Sequence, residues 1–344
     1  LRIIPGDVGP FFSDKQEIPK YCFIVWDEKN IPILFTESKI QQMIERSDQN
    51  HTIIHGDVIM SAFYFLSCWQ ENVSDATDEM GRFPYKESIL SKLGLIGTPV
   101  VNYYFNIIVK AIESIPGMKV SMNPKHARGL KVGITHDIDH CQTGSWQDGF
   151  RQMMAGEWWN GIKKWGQRIY GQDIWFNFDQ LLKIEKELDV TSSYYFIAEK
   201  KWKNGYPNAD YDFTSSQIQQ VVEKIINAGH EVGIHGSIRT GFDEVKLTYE
   251  INQFPQTVTG GRFHYLMINN PDSFDIIGKS SLLYDSSLGF AEHIGFRNGF
   301  CFPYYPYDFK NEKPFTFLEF PFQMMDRTLI QSGYMGLKPE DAIQ

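Results

Sequence analysis

The sequence predicts an α/β protein in which repeated strand-then-helix units close into a (β/α) barrel, preceded by a smaller α/β domain. Three observations carry that prediction. After residue 130, short β-branched or aromatic runs alternate with amphipathic helical stretches, the pattern of parallel strands joined by right-handed crossovers. None of these units opens with a Gly-x-Gly-x-x-Gly turn, which favours a barrel over a dinucleotide-binding sheet. A stretch from Ile115 to Gly129 holds two prolines and two glycines between a helical and a strand pattern, the punctuation of a linker. The expected division is therefore residues 1–125 and 126–344.

In the first part, Tyr21–Trp26 and Ile31–Phe35 are rich in β-branched and aromatic residues and read as short strands. Asp57 is placed to cap a helix running to about Glu71. Its apolar residues Val58, Ala62, Phe65, Leu66 and Trp69 recur every three to four positions. A second helix is expected over Val100–Ser114, with Val101, Tyr104, Phe105, Ile108, Ala111 and Ile112 on one stripe. In the second part, strands are expected at Lys131–Thr135, Ser192–Ile197, Glu231–Ile234, Thr257–Arg262, Leu282–Tyr284 and Phe315–Phe320. Helices are expected between them, at Phe178–Glu187, Ser215–Ala228, Phe242–Gln253 and Pro271–Ser280.

Composition narrows the function. The chain has 344 residues, with 33 Lys+Arg against 42 Asp+Glu, a net charge of −9. Without clustered Lys/Arg, nucleic acid and anionic membrane surfaces are not expected partners. The longest apolar run, Val58–Trp69, is interrupted by Ser61 and Ser67 and is too short for a membrane span. Four scattered cysteines, Cys22, Cys68, Cys141 and Cys301, form neither a disulfide framework nor a zinc knuckle. No secretory signal pattern opens the chain, so the expected location is cytoplasmic; the first residue is Leu1 rather than Met, which leaves a removed leader open.

In a barrel, chemistry gathers at the C-terminal ends of the strands. The first strand runs into Thr135-His-Asp-Ile-Asp-His140. Asp137 and Asp139 are two residues apart and share a face on extended backbone. Two neighbouring carboxylates repel unless a cation or a shared proton relieves them. A divalent metal fits, with one Asp as ligand and the other as general base. The third strand ends in Val232-Gly-Ile-His235, the fourth in Gly260-Gly-Arg-Phe-His264 and the fifth in Leu283-Tyr-Asp285. Arg262 is placed to brace a carboxylate, because its fork matches one. Asp285 is the third acidic strand end. His136, His140 and His230 read as packing or supporting residues.

This set resembles the NodB-homology polysaccharide deacetylases, carbohydrate esterase family four, over roughly Lys131–Phe322. Thr135-His-Asp-Ile-Asp139 is similar to that family's first motif, which implies Asp137 as base and Asp139 as metal ligand. Glu231-Val-Gly-Ile-His-Gly-Ser237 resembles the second motif, whose first histidine is a ligand and matches His235. Gly261-Arg-Phe-His-Tyr265 is similar to the third, with Arg262 matching the arginine that braces the base. Tyr284-Asp-Ser-Ser-Leu288 and Leu318-Glu-Phe-Pro-Phe322 look like later strand-end motifs; the family's late catalytic histidine has no clear match, and Glu319 corresponds to it by position alone. The part before the linker resembles the N-terminal region of a Bacteroidetes-type subgroup. The sequence departs from the pattern where the second motif carries another histidine, because Arg239 stands there. An arginine has no lone pair to ligate a metal. His264 is the first candidate for the third ligand, followed by His140 and His293.

The resemblance implies a distorted (β/α) barrel of the polysaccharide deacetylase type. It implies a metal-dependent hydrolase that removes an acyl group, N-acetyl first, from a carbohydrate, acting on a carbon–nitrogen bond outside peptides. The expected catalytic residues are Asp137, Arg262 and Asp285, and the expected metal ligands Asp139, His235 and His264. The expected metal is zinc, with cobalt, nickel and manganese compatible with the same donors. Two alternatives keep most of these residues: a non-catalytic carbohydrate-binding relative with a degraded metal site, and a metal-dependent hydrolase of a small amide.

Overall fold

A computed structural model describes residues 1–47, 51–121, 131–170, 173–200 and 207–342. The expected domain boundary at 125/126 lies outside the described residues. The chain forms two compact units. The first joins Leu1–Leu130 to Ile268–Gly278 and Ser286–Gln344, and the second comprises Lys131–Met267 and Lys279–Asp285.

The first unit begins with strands β1 (Arg2–Ile3), β2 (Tyr21–Trp26), β3 (Lys29–Leu34), β4 (Ile44–Arg46) and β5 (Thr52–Ile54). β2 and β3 form an antiparallel ribbon, and β5 lies between β1 and β4. Helices α1 (Val58–Leu66), α2 (Trp69–Val73), α3 (Ile89–Lys92) and α4 (Val100–Glu113) follow. Asp57 caps α1, its carboxylate accepting from Met60 N at 2.9 Å and Gly6 N at 2.9 Å. The expected single helix over 57–71 is divided, because Cys68 takes a left-handed φ of 52° that breaks the hydrogen-bond ladder. The core gathers Ile31, Ile33, Leu34, Val58, Tyr104 and Ile107 together with Phe290 and Phe300 from the C-terminal stretch.

The second unit is built on five parallel strands: β6 (Ile134–Ile138), β7 (Ser192–Phe196), β8 (Glu231–Gly236), β9 (Gly260–Phe263) and β10 (Tyr284–Asp285). They pair in chain order. Helices α5 (Gly144–Met154), α6 (Trp158–Tyr170), α7 (Phe178–Glu187), α8 (Ser216–Asn227) and α9 (Glu244–Ile251) connect them. The α/β class expected from the strand–helix rhythm is present. Helices α7 and α8 match their expected spans, because both carry clean 3.6-residue apolar periodicity. The first strand begins at Ile134 rather than Lys131. Its pairing with β7 starts at Ile134 opposite Ser192, so Thr135, His136 and Asp137 lie within the ladder. The helical pair α5 and α6, amphipathic like α7 and α8, was not anticipated.

Alternation sorts the sheet into two faces. One carries His136, Ile138, Tyr194, Phe196, Val232 and Ile234. Phe196 packs against Phe178, Tyr211 and Phe213, and His136 Nε2 meets Glu185 of α7 at 2.8 Å. The other face is polar. Glu231 accepts from Ser193 Oγ at 2.6 Å, Tyr284 OH at 2.8 Å and Thr259 Oγ1 at 2.9 Å. Tyr195 and Tyr284 fill the space left by two glycines there: a Cβ on Gly233 would sit 2.4 Å from Gly260 O, and one on Gly260 would sit 2.2 Å from the Tyr284 ring. At the C-terminal ends of the strands this polar face carries the candidate site.

Candidate metal centre

The site begins with β6. Thr135 and Asp137 are two residues apart on the polar face of the strand, and Asp139 follows at its end. The register pairs His235 with Arg262, which puts the imidazole of β8 and the guanidinium of β9 side by side on that same face. The chain then turns sharply after β9, with Tyr265 and Leu266 at φ 59° and 52°. The turn brings the buried ring of His264 beside His235, centroids 5.0 Å apart.

Three atoms converge. His235 Nε2 lies 3.1 Å from His264 Nδ1 and 3.2 Å from Asp139 Oδ1, and His264 Nδ1 lies 3.3 Å from the same oxygen. Asp139, His235 and His264 form one group able to hold a metal ion among the described residues. The hydrogen bonds on the far side of each ring decide which nitrogens are available. His235 Nδ1 donates to Arg262 O at 2.9 Å, and His264 Nε2 donates to Pro207 O at 3.2 Å. A carbonyl oxygen only accepts, so each of those nitrogens carries the hydrogen. In the neutral rings the two nitrogens that face each other present lone pairs. Asp139 Oδ1 is buried and makes no hydrogen bond.

Three acceptors about 3 Å apart with no hydrogen between them repel one another unless something positive sits among them. The spacing matches a small divalent cation, for which ligand bonds of about 2.0–2.1 Å in a tetrahedral arrangement separate the ligands by about 3.3 Å. The donor set of one carboxylate oxygen and two imidazole nitrogens is of the kind transition metals take. Protons do the same work without a metal. Burial pulls His235 down, but the charge of Asp137 and the charge and close approach of Asp139 outweigh it and raise the ring above its ordinary range. Burial alone would raise Asp139, yet the His264 and His235 rings hold its carboxyl far below the usual carboxylate range.

Beside this triangle, Arg262 Nη1 donates to Asp137 Oδ1 at 2.9 Å and to Thr135 Oγ1 at 2.8 Å. The guanidinium is 3% exposed and lies over the Tyr195 ring, 5.3 Å from its centroid. Asp137 Oδ2 is 4.0 Å from His235 Nε2. The carboxylate thus has one oxygen fixed by arginine and the other turned toward the cluster.

Other expected residues fall elsewhere. Asp285 is buried on β10 in register with Gly261, the position of opposite parity to Arg262. Arg239, at the place where the resembled family carries a histidine, is exposed in a left-handed turn with φ 64°. His140 Nδ1 lies 3.8 Å from Asp210, and His293 stacks on Tyr85 in the first unit at 4.5 Å. His136 and His230 both lie against Glu185, the latter at 3.7 Å, as supporting groups under the opposite face. What the sequence did not single out is the loop Pro207–Tyr211, whose Pro207 carbonyl accepts from the His264 ring, whose Asp210 N donates to Asp139 O, and whose side chains bond the backbone of residues flanking the cluster. Its only local signal is an Asn and an Asp in a loop, common to many turns.

A family of unknown function (DUF7033) matches residues 7–116. The match lies in the first unit, and the residues of the cluster stand outside it. Comparison with curated proteins and with solved structures gives no match. No helix among the described residues is long and apolar enough to cross a membrane.

Proposed function

We propose that the second unit is a metal-dependent deacylase that removes an acyl group, N-acetyl first, from a carbohydrate. The observation that carries the proposal is the triangle of Asp139 Oδ1, His235 Nε2 and His264 Nδ1, with edges of 3.1 to 3.3 Å, beside an Asp137 braced by Arg262. The strictly sequential strand order supports a distorted (β/α) barrel of the polysaccharide deacetylase type, since a doubly wound sheet reverses its order.

Asp139, His235 and His264 would hold the cation, zinc first and cobalt, nickel or manganese also compatible. When bound, such a cation polarises an acyl carbonyl and makes water more acidic. The protein's own groups do the rest. Asp137 takes a proton from the attacking water, whose oxygen bonds to the acyl carbon. The carbon–nitrogen bond then breaks, and the proton passes to the leaving amine. Arg262 holds one oxygen of Asp137 and so orients the other for that step. The buried cluster fixes these positions before substrate arrives, so little reorganisation is left for the reaction itself. Asp285 takes no part in this scheme.

Acetate release from N-acetylglucosamine oligomers tests the reading. Activity is expected to vanish on chelation and return with zinc or cobalt. Asp137→Asn should lower turnover by about 10²–10⁴-fold, the usual share of a general base, while metal content measured by mass spectrometry stays at the unsubstituted level. Full turnover by that variant would sink the mechanism.

A further inference from the structure

Pro207–Tyr211 belongs to no strand or helix, yet it touches the chain around each residue of the cluster. Pro207 O accepts from His264 Nε2 at 3.2 Å. Asn208 Oδ1 accepts from Ile238 N at 2.9 Å, three residues beyond His235. Asp210 N donates to Asp139 O at 3.3 Å. The Asp210 carboxylate then gathers the turn that follows. Its Oδ1 accepts from Cys141 N at 2.9 Å, and its Oδ2 accepts from Gln142 N at 3.0 Å, Thr143 N at 2.9 Å and Thr143 Oγ1 at 2.7 Å. Tyr211 OH donates to Ile138 O at 2.7 Å and accepts from Ile197 N at 2.9 Å. Asn208 is 1% exposed and Tyr211 0%, so these bonds are made away from competing water.

We propose that Pro207–Tyr211 is a positioning segment that presets Asp139, His235 and His264 for a cation, with Asp210 as its main clamp. The inference rests on reading the cluster as a cation site. Outer groups of this kind orient ligands and fix their tautomers, and their loss typically weakens metal binding about 10–100-fold. Two features make the segment suited to the task. His264 can present Nδ1 only while its other nitrogen donates, and Pro207 O is the acceptor. Asp139 ends a strand, where backbone is free to swing, and Asp210 ties both its carbonyl and the three residues from Cys141 to Thr143.

An asparagine at 210 cannot reproduce the clamp. One carboxylate oxygen becomes an NH₂, which cannot accept from the amide hydrogens it faces. Asp173 provides a control of the same chemistry, because it accepts from Gly144 N, Ser145 N and Trp175 N one step farther along the chain.

The test is calorimetric titration of the full chain with Zn²⁺, together with the visible absorption of the Co²⁺ form, which reports ligand geometry. Thermal unfolding of each metal-free variant runs alongside. Asp210→Asn is expected to bind Zn²⁺ about 10–100-fold more weakly and to alter the Co²⁺ spectrum. Asp173→Asn, with a comparable loss of thermal stability, should keep both near the unsubstituted values. Equal affinities in Asp210→Asn and the unsubstituted protein, or equal losses in the two variants, would overturn the inference and leave the cation reading standing. Failure of the unsubstituted protein to bind any transition ion would overturn both. Should Asp210→Asn not fold, Tyr211→Phe removes a single bridging oxygen and is judged in the same way: weaker binding with an altered Co²⁺ spectrum supports the segment's role, and unchanged binding removes it.

Discussion

Asp139 Oδ1 is the atom around which the cluster of the second unit is arranged. It is buried without a hydrogen bond and lies within 3.3 Å of two ring nitrogens whose hydrogens are committed elsewhere. The identity of the third partner follows from where the backbone goes. Arg239 points into solvent from a left-handed turn, while His264 is buried against His235. His264→Ala should therefore weaken Zn²⁺ binding by more than the roughly 10–100-fold that outer groups cost. Arg239→Ala should stay within about twofold, since exposed substitutions change free energies by about 0.5 kcal/mol or less. Equilibrium dialysis of the two variants distinguishes them, and a loss on substituting Arg239 would contradict the assignment. Sequence reasoning reached His264 only as the first of three candidates, because a histidine's use depends on which way its ring is turned.

At the scale of elements, the site is held by β6, β8 and β9 in strict parallel register, and close backbone approach is part of that register. A Cβ on Gly261 would lie 1.9 Å from Ile234 O, so only glycine lets β9 approach β8 there and bring Arg262 opposite His235. Helix α7 is tied to the opposite face through Glu185, which accepts from Ser192 Oγ, Tyr194 OH and His136 Nε2 at 2.5 to 2.8 Å. Burial would raise this carboxyl, but the hydrogen bonds from Ser192, Tyr194 and His136 outweigh it and hold it below its ordinary value of 4.5. A lowered carboxylate contributes stability above its unfolded value and loses it as pH falls through the folded one. Glu185→Gln should consequently cost about 1–3 kcal/mol at neutral pH and flatten the loss of stability below about pH 4.5. Urea unfolding across pH 3 to 7 measures both effects. Parallel slopes for the two proteins would show that Glu185 is not the group responsible. The strand and helix periodicities behind these elements were legible in the sequence; the ties between faces were not, because a hydroxyl or imidazole carries no mark of the partner it will find.

At the scale of the molecule, each unit is closed by residues distant in sequence. The first unit's core includes Phe290 and Phe300 beside residues from before position 112. Two of its buried charges, Glu71 and Arg297, meet in a two-pronged pair at 2.7 and 2.8 Å, with Asn270 Nδ2 completing the carboxylate at 3.1 Å and Gly289 O accepting from Arg297 Nη1 at 2.9 Å. Arg297→Ala would leave Glu71 charged and buried without its partner, a change that costs about 3–5 kcal/mol. Chemical denaturation followed by circular dichroism should register it, and a cost below about 1 kcal/mol, typical of an exposed pair, would mean that the pair carries no such burden.

The order of the parallel strands of the second unit and the placement of Asp137, Asp139 and His235 at their ends were readable from the chain alone. Period-two and period-3.6 patterns are local, and a residue at a strand end declares its position by what precedes it. Folding decided that His264 and not Arg239 completes the cluster, that Asp285 takes the register parity of Gly261, and that Pro207–Tyr211 bonds to His264 and Asp139. It also drew Ile268–Gly278 and Ser286–Gln344 into the first unit. Each of these depends on strand register, on a turn with positive φ or on a hydrogen bond across dozens of residues. No local pattern encodes such features, because their energy exists only once both partners have been brought together.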